Sequence, residues 1–104
     1  MIGVLVRIQF ESEFSEARVR QIAANARSRF EHMPNLRSKA FTVDIEKREV
    51  LNFYLWESEE AARAFFSPEF VERVTGLYGV RPSMQFTQVA ELVDNQPSET
   101  VRSA

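Results

Sequence analysis

Hydrophobic and polar residues alternate along Val4-Leu5-Val6-Arg7-Ile8-Gln9-Phe10, so Val4, Val6, Ile8 and Phe10 share one face and Leu5, Arg7 and Gln9 the other. This period of two predicts a first strand over residues 4–10. From Ser15 the period lengthens, and Ile22, Ala26, Phe30 and Met33 recur at the spacing of one helix face. Ser15 offers a capping oxygen and Glu16 a negative charge at the positive helix start. The helix is expected to stop at Met33-Pro34-Asn35, because the ring of Pro34 disfavours helical dihedrals at Met33 and has no N–H to donate. Residues 36–45 and 49–56 are rich in β-branched and aromatic side chains and flank the charged Glu46-Lys47-Arg48, which predicts a hairpin. Ser58-Glu59-Glu60 opens a second helix with Ala61, Ala62, Phe65 and Phe66 as its apolar stripe. Ser67-Pro68-Glu69 repeats the start signal, so this helix is expected to break and resume through Phe70, Val71, Val74 and Leu77 as far as Gly79. Residues 84–93 supply the last strand, and residues 94–104 form a polar, loose tail.

The resulting order, β-α-β-β-α-β, is the ferredoxin-like arrangement: an α+β domain over residues 1–93 with a four-stranded antiparallel sheet and both helices on one face. In the strand over 49–56, Leu51, Phe53 and Leu55 are expected to pack under the helices. The opposite face then carries Val50, Asn52, Tyr54 and Trp56, too apolar for a solvated surface, and a second copy of the chain is the simplest cover. Two sheets packed in this way would enclose a dimeric α+β barrel lined by Tyr54, Trp56, Asn52, Arg7 and Gln9.

Composition narrows the chemistry. The 104 residues have no room for separate cofactor and substrate domains. Thirteen basic residues against fifteen acidic ones give a net charge of −2 without a basic block, which argues against nucleic acid as a partner. There is no cysteine, which excludes disulfides, thiolate metal sites and thiol catalysis, and the single His32 offers little to a metal. No apolar run approaches the length of a membrane span, so a cytoplasmic protein without membrane association is expected.

The segment Phe53-Tyr54-Leu55-Trp56-Glu57-Ser58-Glu59-Glu60-Ala61-Ala62-Arg63-Ala64-Phe65, followed by Ser67-Pro68-Glu69-Phe70, resembles the aromatic strand and helix start of the dimeric α+β barrel superfamily, in particular the antibiotic-biosynthesis monooxygenase group and its YdhR-like branch. The resemblance extends in element order over residues 1–93. It implies a homodimer that oxidises a phenolic or quinol-type substrate with molecular oxygen, using no metal, flavin or nicotinamide. It also implies that Trp56 stands at the mouth of a cavity, with Asn52 and Tyr54 on the same strand face. Relatives that degrade haem, and several that oxidise quinols, carry a histidine in the second helix where this chain has Phe65, and many relatives have asparagine on strand one where this chain offers Arg7 or Gln9.

On this reading Trp56, Tyr54 and Asn52 orient a small aromatic substrate and Arg7 holds the anion it becomes, with Gln9, Lys39, Phe41 and Phe65 as further contacts. Each residue has a plainer role as well. Trp56 and Tyr54 serve equally as interface or core anchors, Asn52 as part of a structural network, and Arg7 as half of a salt bridge. Phe65 belongs with the helix stripe, His32 suits the negative end of the first helix, and Glu59-Glu60 is helix-start chemistry. No general base stands out, which keeps two other readings open: a non-enzymatic binding or interaction module of the same fold, and an isomerase or cyclase.

Overall fold

The initial alternation becomes β1, Ile2–Gln9, the central strand of an antiparallel sheet; the computed structural model describes residues 1–95. Helix α1, Glu16–Phe30, starts where expected, with Ser15 accepting a hydrogen bond from the Arg18 N–H. It ends one turn earlier than Pro34 alone would require. Glu31 leaves the helix in an extended conformation and His32 and Asn35 take positive φ angles of 63° and 69°, so the reversal occupies the whole 31–35 segment. The predicted hairpin is present, but its first arm is split into β2, Leu36–Ala40, and the two-residue β3, Val43–Asp44. Both pair with β4, Glu49–Trp56.

The predicted break in the second helix occurs at Ser67-Pro68. It yields α2, Glu59–Phe65, and α3, Pro68–Tyr78, with Pro68 in the first turn and Gly79 closing α3 in the left-handed region at φ 78°. The last strand, β5, is shorter than expected, Ser83–Gln88. Residues 96–104 of the predicted tail lie outside the described residues, and Asp94 accepts a hydrogen bond from Arg37 at 3.2 Å. The sheet order is β2-β4-β1-β5 with β3 beside β4, so the ferredoxin-like α+β architecture stands, built among the described residues from five strands and three helices.

Register corrects the expected assignment of faces. Val4 lies opposite Tyr54, Val6 opposite Asn52 and Ile8 opposite Val50, and residues directly opposite in a sheet project to the same side. Val4, Val6, Tyr54 and Trp56 are buried with Ala62, Phe66 and Phe70. The helices of the same chain therefore cover Val50, Asn52, Tyr54 and Trp56; no second copy is needed there. Leu51, Phe53 and Leu55, expected beneath the helices, lie on the other face with Leu5 and Arg7, and Phe53 is 43 % exposed. The physical reason is the bulk offered by α2 and α3: Phe66 stands edge-on to Tyr54 at 4.9 Å and to Phe70 at 4.9 Å, a packing that large rings fill.

The core forms two clusters along the sheet. One is built on Val4, Val6, Tyr54, Trp56, Phe66 and Phe70; the other on Ile8, Phe10, Val19 and Val50. Asn52 lies on the strand between Val50 and Tyr54, where the two clusters part. Phe66→Ala removes the ring common to several contacts of the first cluster. It is expected to lower unfolding free energy by about 3–5 kcal/mol in urea titrations followed by circular dichroism. A loss below about 1 kcal/mol would place Phe66 outside the core.

Candidate functional site

At the seam between the two clusters the sheet and helices do not close completely. A cavity of about 60 Å³ has Val6, Ile8, Asn52 and Tyr54 as its floor, Ile22, Ala26 and Phe30 of α1 on one side, and Phe70, Val74 and Tyr78 of α3 on the other. Lys39 and Phe41 close it from the β2 edge, and Arg29, Arg73 and the 43 %-exposed Leu77 stand at its rim. A second cavity of about 130 Å³ shares Phe41, Asn52 and Tyr78 with the first and runs toward Val19, Thr42 and Val50.

Asn52 is the hinge of this arrangement. It is 5 % exposed, and its Oδ1 accepts a hydrogen bond from the Thr42 N–H at 3.4 Å, in the stretch between β2 and β3. The Thr42 hydroxyl donates to the Leu51 carbonyl, which fixes that stretch against β4. With its oxygen so occupied, the amide presents its nitrogen as donor. Burial raises the Tyr78 phenol above its ordinary pKa, and the Asn52 amide draws it part of the way back. Tyr54 is pushed up more strongly, chiefly by burial and secondarily by the nearby Tyr78. Both phenols therefore remain neutral hydrogen-bond donors, not bases, through the physiological range.

Lys39 is the unusual group. Its ammonium lies 3.5 Å from the centroid of the Phe30 ring, 4.0 Å from that of Phe41 and 4.4 Å from that of Tyr54. Burial, then the charges of Arg29 and Arg73, lower its pKa from 10.5 to about 7; the three ring faces favour the ammonium and oppose that shift. Near neutral pH this amine can exist in either form, so it can accept a proton or supply a positive charge.

The other sequence-derived candidates divide into two groups. Phe41 and Phe65 lie on the helix side, Phe41 in the cavity wall and Phe65 against Trp56 at 5.2 Å. Trp56 is 2 % exposed and stacks on Tyr54 at 6.4 Å and 11°, so it supports the Tyr54 ring from behind in place of the expected position at a cavity mouth. Its indole Nε1–H is buried without a hydrogen-bond partner, a cost of about 1–3 kcal/mol. Arg7 and Gln9 are on the opposite face of the sheet, a second correction that follows from the same register. Arg7 pairs with the buried Glu49 at 2.7 Å, and Gln9 donates to the Lys47 carbonyl at 2.7 Å. Neither reaches the cavity. His32 is exposed in the turn after α1.

Arg29, Arg73 and Tyr78 line the cavity without having been singled out in the sequence. The signal was present. Arg29 stands seven residues after Ile22 and three after Ala26, and Arg73 three after Phe70, so both occupy apolar-stripe positions of their helices. Among the described residues no group of three or more His, Asp or Glu side chains is placed to hold a metal, and no helix is long and apolar enough to cross a membrane.

The architecture has close counterparts among solved structures. It superposes with a TM-score of 0.64 on SnoaB, a cofactor-independent oxygenase from Streptomyces nogalater, at 15 % identity over 88 % of this chain and 95 % of that one. A monooxygenase encoded by ActVA-Orf6 of Streptomyces coelicolor, solved in complex with the ligand nanaomycin D, matches at 0.64 and 18 % identity over 91 % and 92 % of the two chains. A protein of unknown function from Nitrosomonas europaea matches at 0.69 and 10 % identity over 92 % and 95 %. The chain thus shares the ferredoxin-like α+β fold of these structures. No family model and no curated protein matches its sequence.

The Lys39 environment has a consequence for stability. Because its folded pKa is depressed below the unfolded value, the unfolded state binds more protons between about pH 7 and 10.5, and stability rises with pH across that window. The burden is full below pH 7 and disappears above 10.5. Lys39→Met should therefore gain more stability over the parent at about pH 6 than at about pH 10, read as the difference in Tm between the two proteins. A difference that does not vary with pH would contradict this account of the buried amine.

Proposed function

We propose that this protein is a cofactor-independent monooxygenase that takes a flat phenolic or quinol-type molecule into the cavity between the sheet and helices of each protomer of a homodimer. The observation that carries the reading is the meeting of the Asn52 amide, the neutral Tyr54 and Tyr78 phenols and the Lys39 amine in one aromatic-walled cavity. The shared fold with two oxygenases supports it.

Such a reaction needs little from the protein beyond position and field. Asn52 and the two phenols donate hydrogen bonds to a substrate oxygen as negative charge gathers on it. The Lys39 ammonium and these donors favour the substrate phenolate, whose proton passes to water, and its electron-rich ring carbon is the electron donor to molecular oxygen. A carbon–oxygen bond forms at that ring carbon and the peroxide takes up a proton; loss of the carbon's own hydrogen as a proton then breaks the O–O bond, turning the former ring C–H into a carbonyl and expelling hydroxide, which leaves as water. Trp56 acts through Tyr54, whose ring it stacks against. Arg7, on the far side of the sheet, has no part in this chemistry.

A second reading, that the protein only holds a ligand, draws on the size of the cavities. At about 60 and 130 Å³ they are smaller than the roughly 300–1,000 Å³ usual for drug-sized ligands. Oxygen-electrode traces with reduced, electron-rich hydroxyarenes separate the two. Uptake above the buffer rate is expected, with Asn52→Ala lowering kcat/KM by about 10²-fold and Trp56→Phe lowering it less. Ligand binding without oxygen uptake would leave the holding function in possession.

The homodimer is assigned to the sheet face turned away from the helices, where Leu5, Leu51, Phe53 and Leu55 form an apolar strip. Two such faces packed together give the barrel, with the sheets about 10 Å apart. Phe53→Glu buries two like charges at that interface and is expected to convert the dimer to a monomer in sedimentation velocity. A Phe53→Glu protein that still sediments as a dimer would move the interface elsewhere.

A further inference from the structure

We propose that the ligand of this cavity is an aromatic carboxylate, its ring against the apolar lining of the cavity and its charge received by Lys39, Arg29 and Arg73. The inference rests on the cavity being a ligand site and adds the charge of what enters it.

Three separate elements bring one cation each to the same opening: Arg29 from α1, Lys39 from β2 and Arg73 from α3. Among the described residues, no carboxylate lies within ion-pair distance of any of them. Elsewhere Arg7 pairs with Glu49, Arg20 with Glu16, Arg37 with Glu57 and Asp94, and Arg63 with Glu59, while Arg18 and Arg48 donate to backbone carbonyls; what sets Arg29, Lys39 and Arg73 apart is that they converge on one opening. Glu31, which lines an adjoining groove together with Lys39, pairs with Arg27 at 3.6 Å. The chain as a whole is acidic, at −2, so this gathering of positive charge is local and not a reflection of composition.

A partly buried ammonium without a counter-ion is costly in an empty site. The same group becomes favourable once an anion arrives, because a desolvated, charge-assisted hydrogen bond is stronger than one in water. Two guanidinium groups at the rim match the planar, two-oxygen geometry of a carboxylate. Val6, Ile8, Ala26 and Val74 offer an apolar lining to a flat hydrocarbon body, while the faces of Phe30, Phe41 and Tyr54 hold the Lys39 ammonium beside it. The small volume favours a compact acid over a large polycycle.

The test is anaerobic calorimetric titration of the protein with 2,5-dihydroxybenzoate and with its methyl ester, which keeps the compact quinol ring and removes the charge. The acid is expected to bind about tenfold more tightly than the ester. Lys39→Met and Arg73→Gln should each weaken the acid about five- to tenfold and leave the ester unchanged. Arg73 is exposed, so its substitution leaves the core packing in place. Equal affinity for acid and ester, no binding of either at millimolar concentration, or undiminished acid binding in the two variants would each overturn the proposal. Oxygen uptake is measured separately. Charge-selective binding without oxygen consumption upholds the carboxylate site and removes the oxygenase reading, whereas oxygen consumption equally fast with acid and ester upholds the oxygenase and overturns the carboxylate site.

Discussion

The burial of one face of β4 beneath the broken helix pair is the constraint from which the rest of the molecule follows. Tyr54 and Trp56 meet Phe65, Phe66 and Phe70 in a continuous set of ring contacts, with centroids 4.9–6.4 Å apart. Large rings of this kind contribute most of the apolar area available to so small a domain. Once they are inside, the period of two places Val50 and Asn52 inside as well and turns Leu51, Phe53 and Leu55 outward. The position of the cavity, within one protomer and above Asn52, is decided at that step.

Polar groups in the core have to be reconciled with this packing. Asn52 interrupts the apolar row of β4, and the two clusters of the core separate on either side of it. Its oxygen is satisfied by Thr42, while its nitrogen faces the region that also holds Tyr78. An aliphatic residue in its place could join the clusters and fill the seam. The unpaired Trp56 indole and the uncompensated Lys39 ammonium add to the energetic cost, and all three lie on or next to the same face of β4. Concentrating such features in one place departs from the pattern of a core optimised only for stability, and functional sites are where departures of this kind gather.

Electrostatics sharpens the contrast between the two sides of the sheet. On the outer face Arg7 is neutralised by Glu49, and Leu5, Leu51, Phe53 and Leu55 lie among the uncharged Gln9, Gln85 and Thr87. On the helix face Arg29, Lys39 and Arg73 surround an opening without an acid among them. The positive charge thus gathers on the helix side of the sheet, at the opening of the cavity.

The order of elements was legible in the chain because each carries its own punctuation: alternation in β1, a serine cap before each helix, Pro68 at the break and Gly79 at the close. Asn52, Tyr54, Lys39 and Phe41 were also recognisable as candidates by residue type, and the structure brings them together. What the chain by itself left open was the side of the sheet. In β4 both alternating sets are apolar, Val50, Tyr54 and Trp56 against Leu51, Phe53 and Leu55, so the pattern has no polarity from which a face can be chosen. Only the register with β1, whose Val4, Val6 and Ile8 are unambiguous, together with the ring-lined underside of α2 and α3, breaks that tie. The same tertiary step removed Arg7 and Gln9 from the site and introduced Arg29 and Arg73, since local periodicity sets which residues of one element share a face, and long-range pairing sets what that face meets.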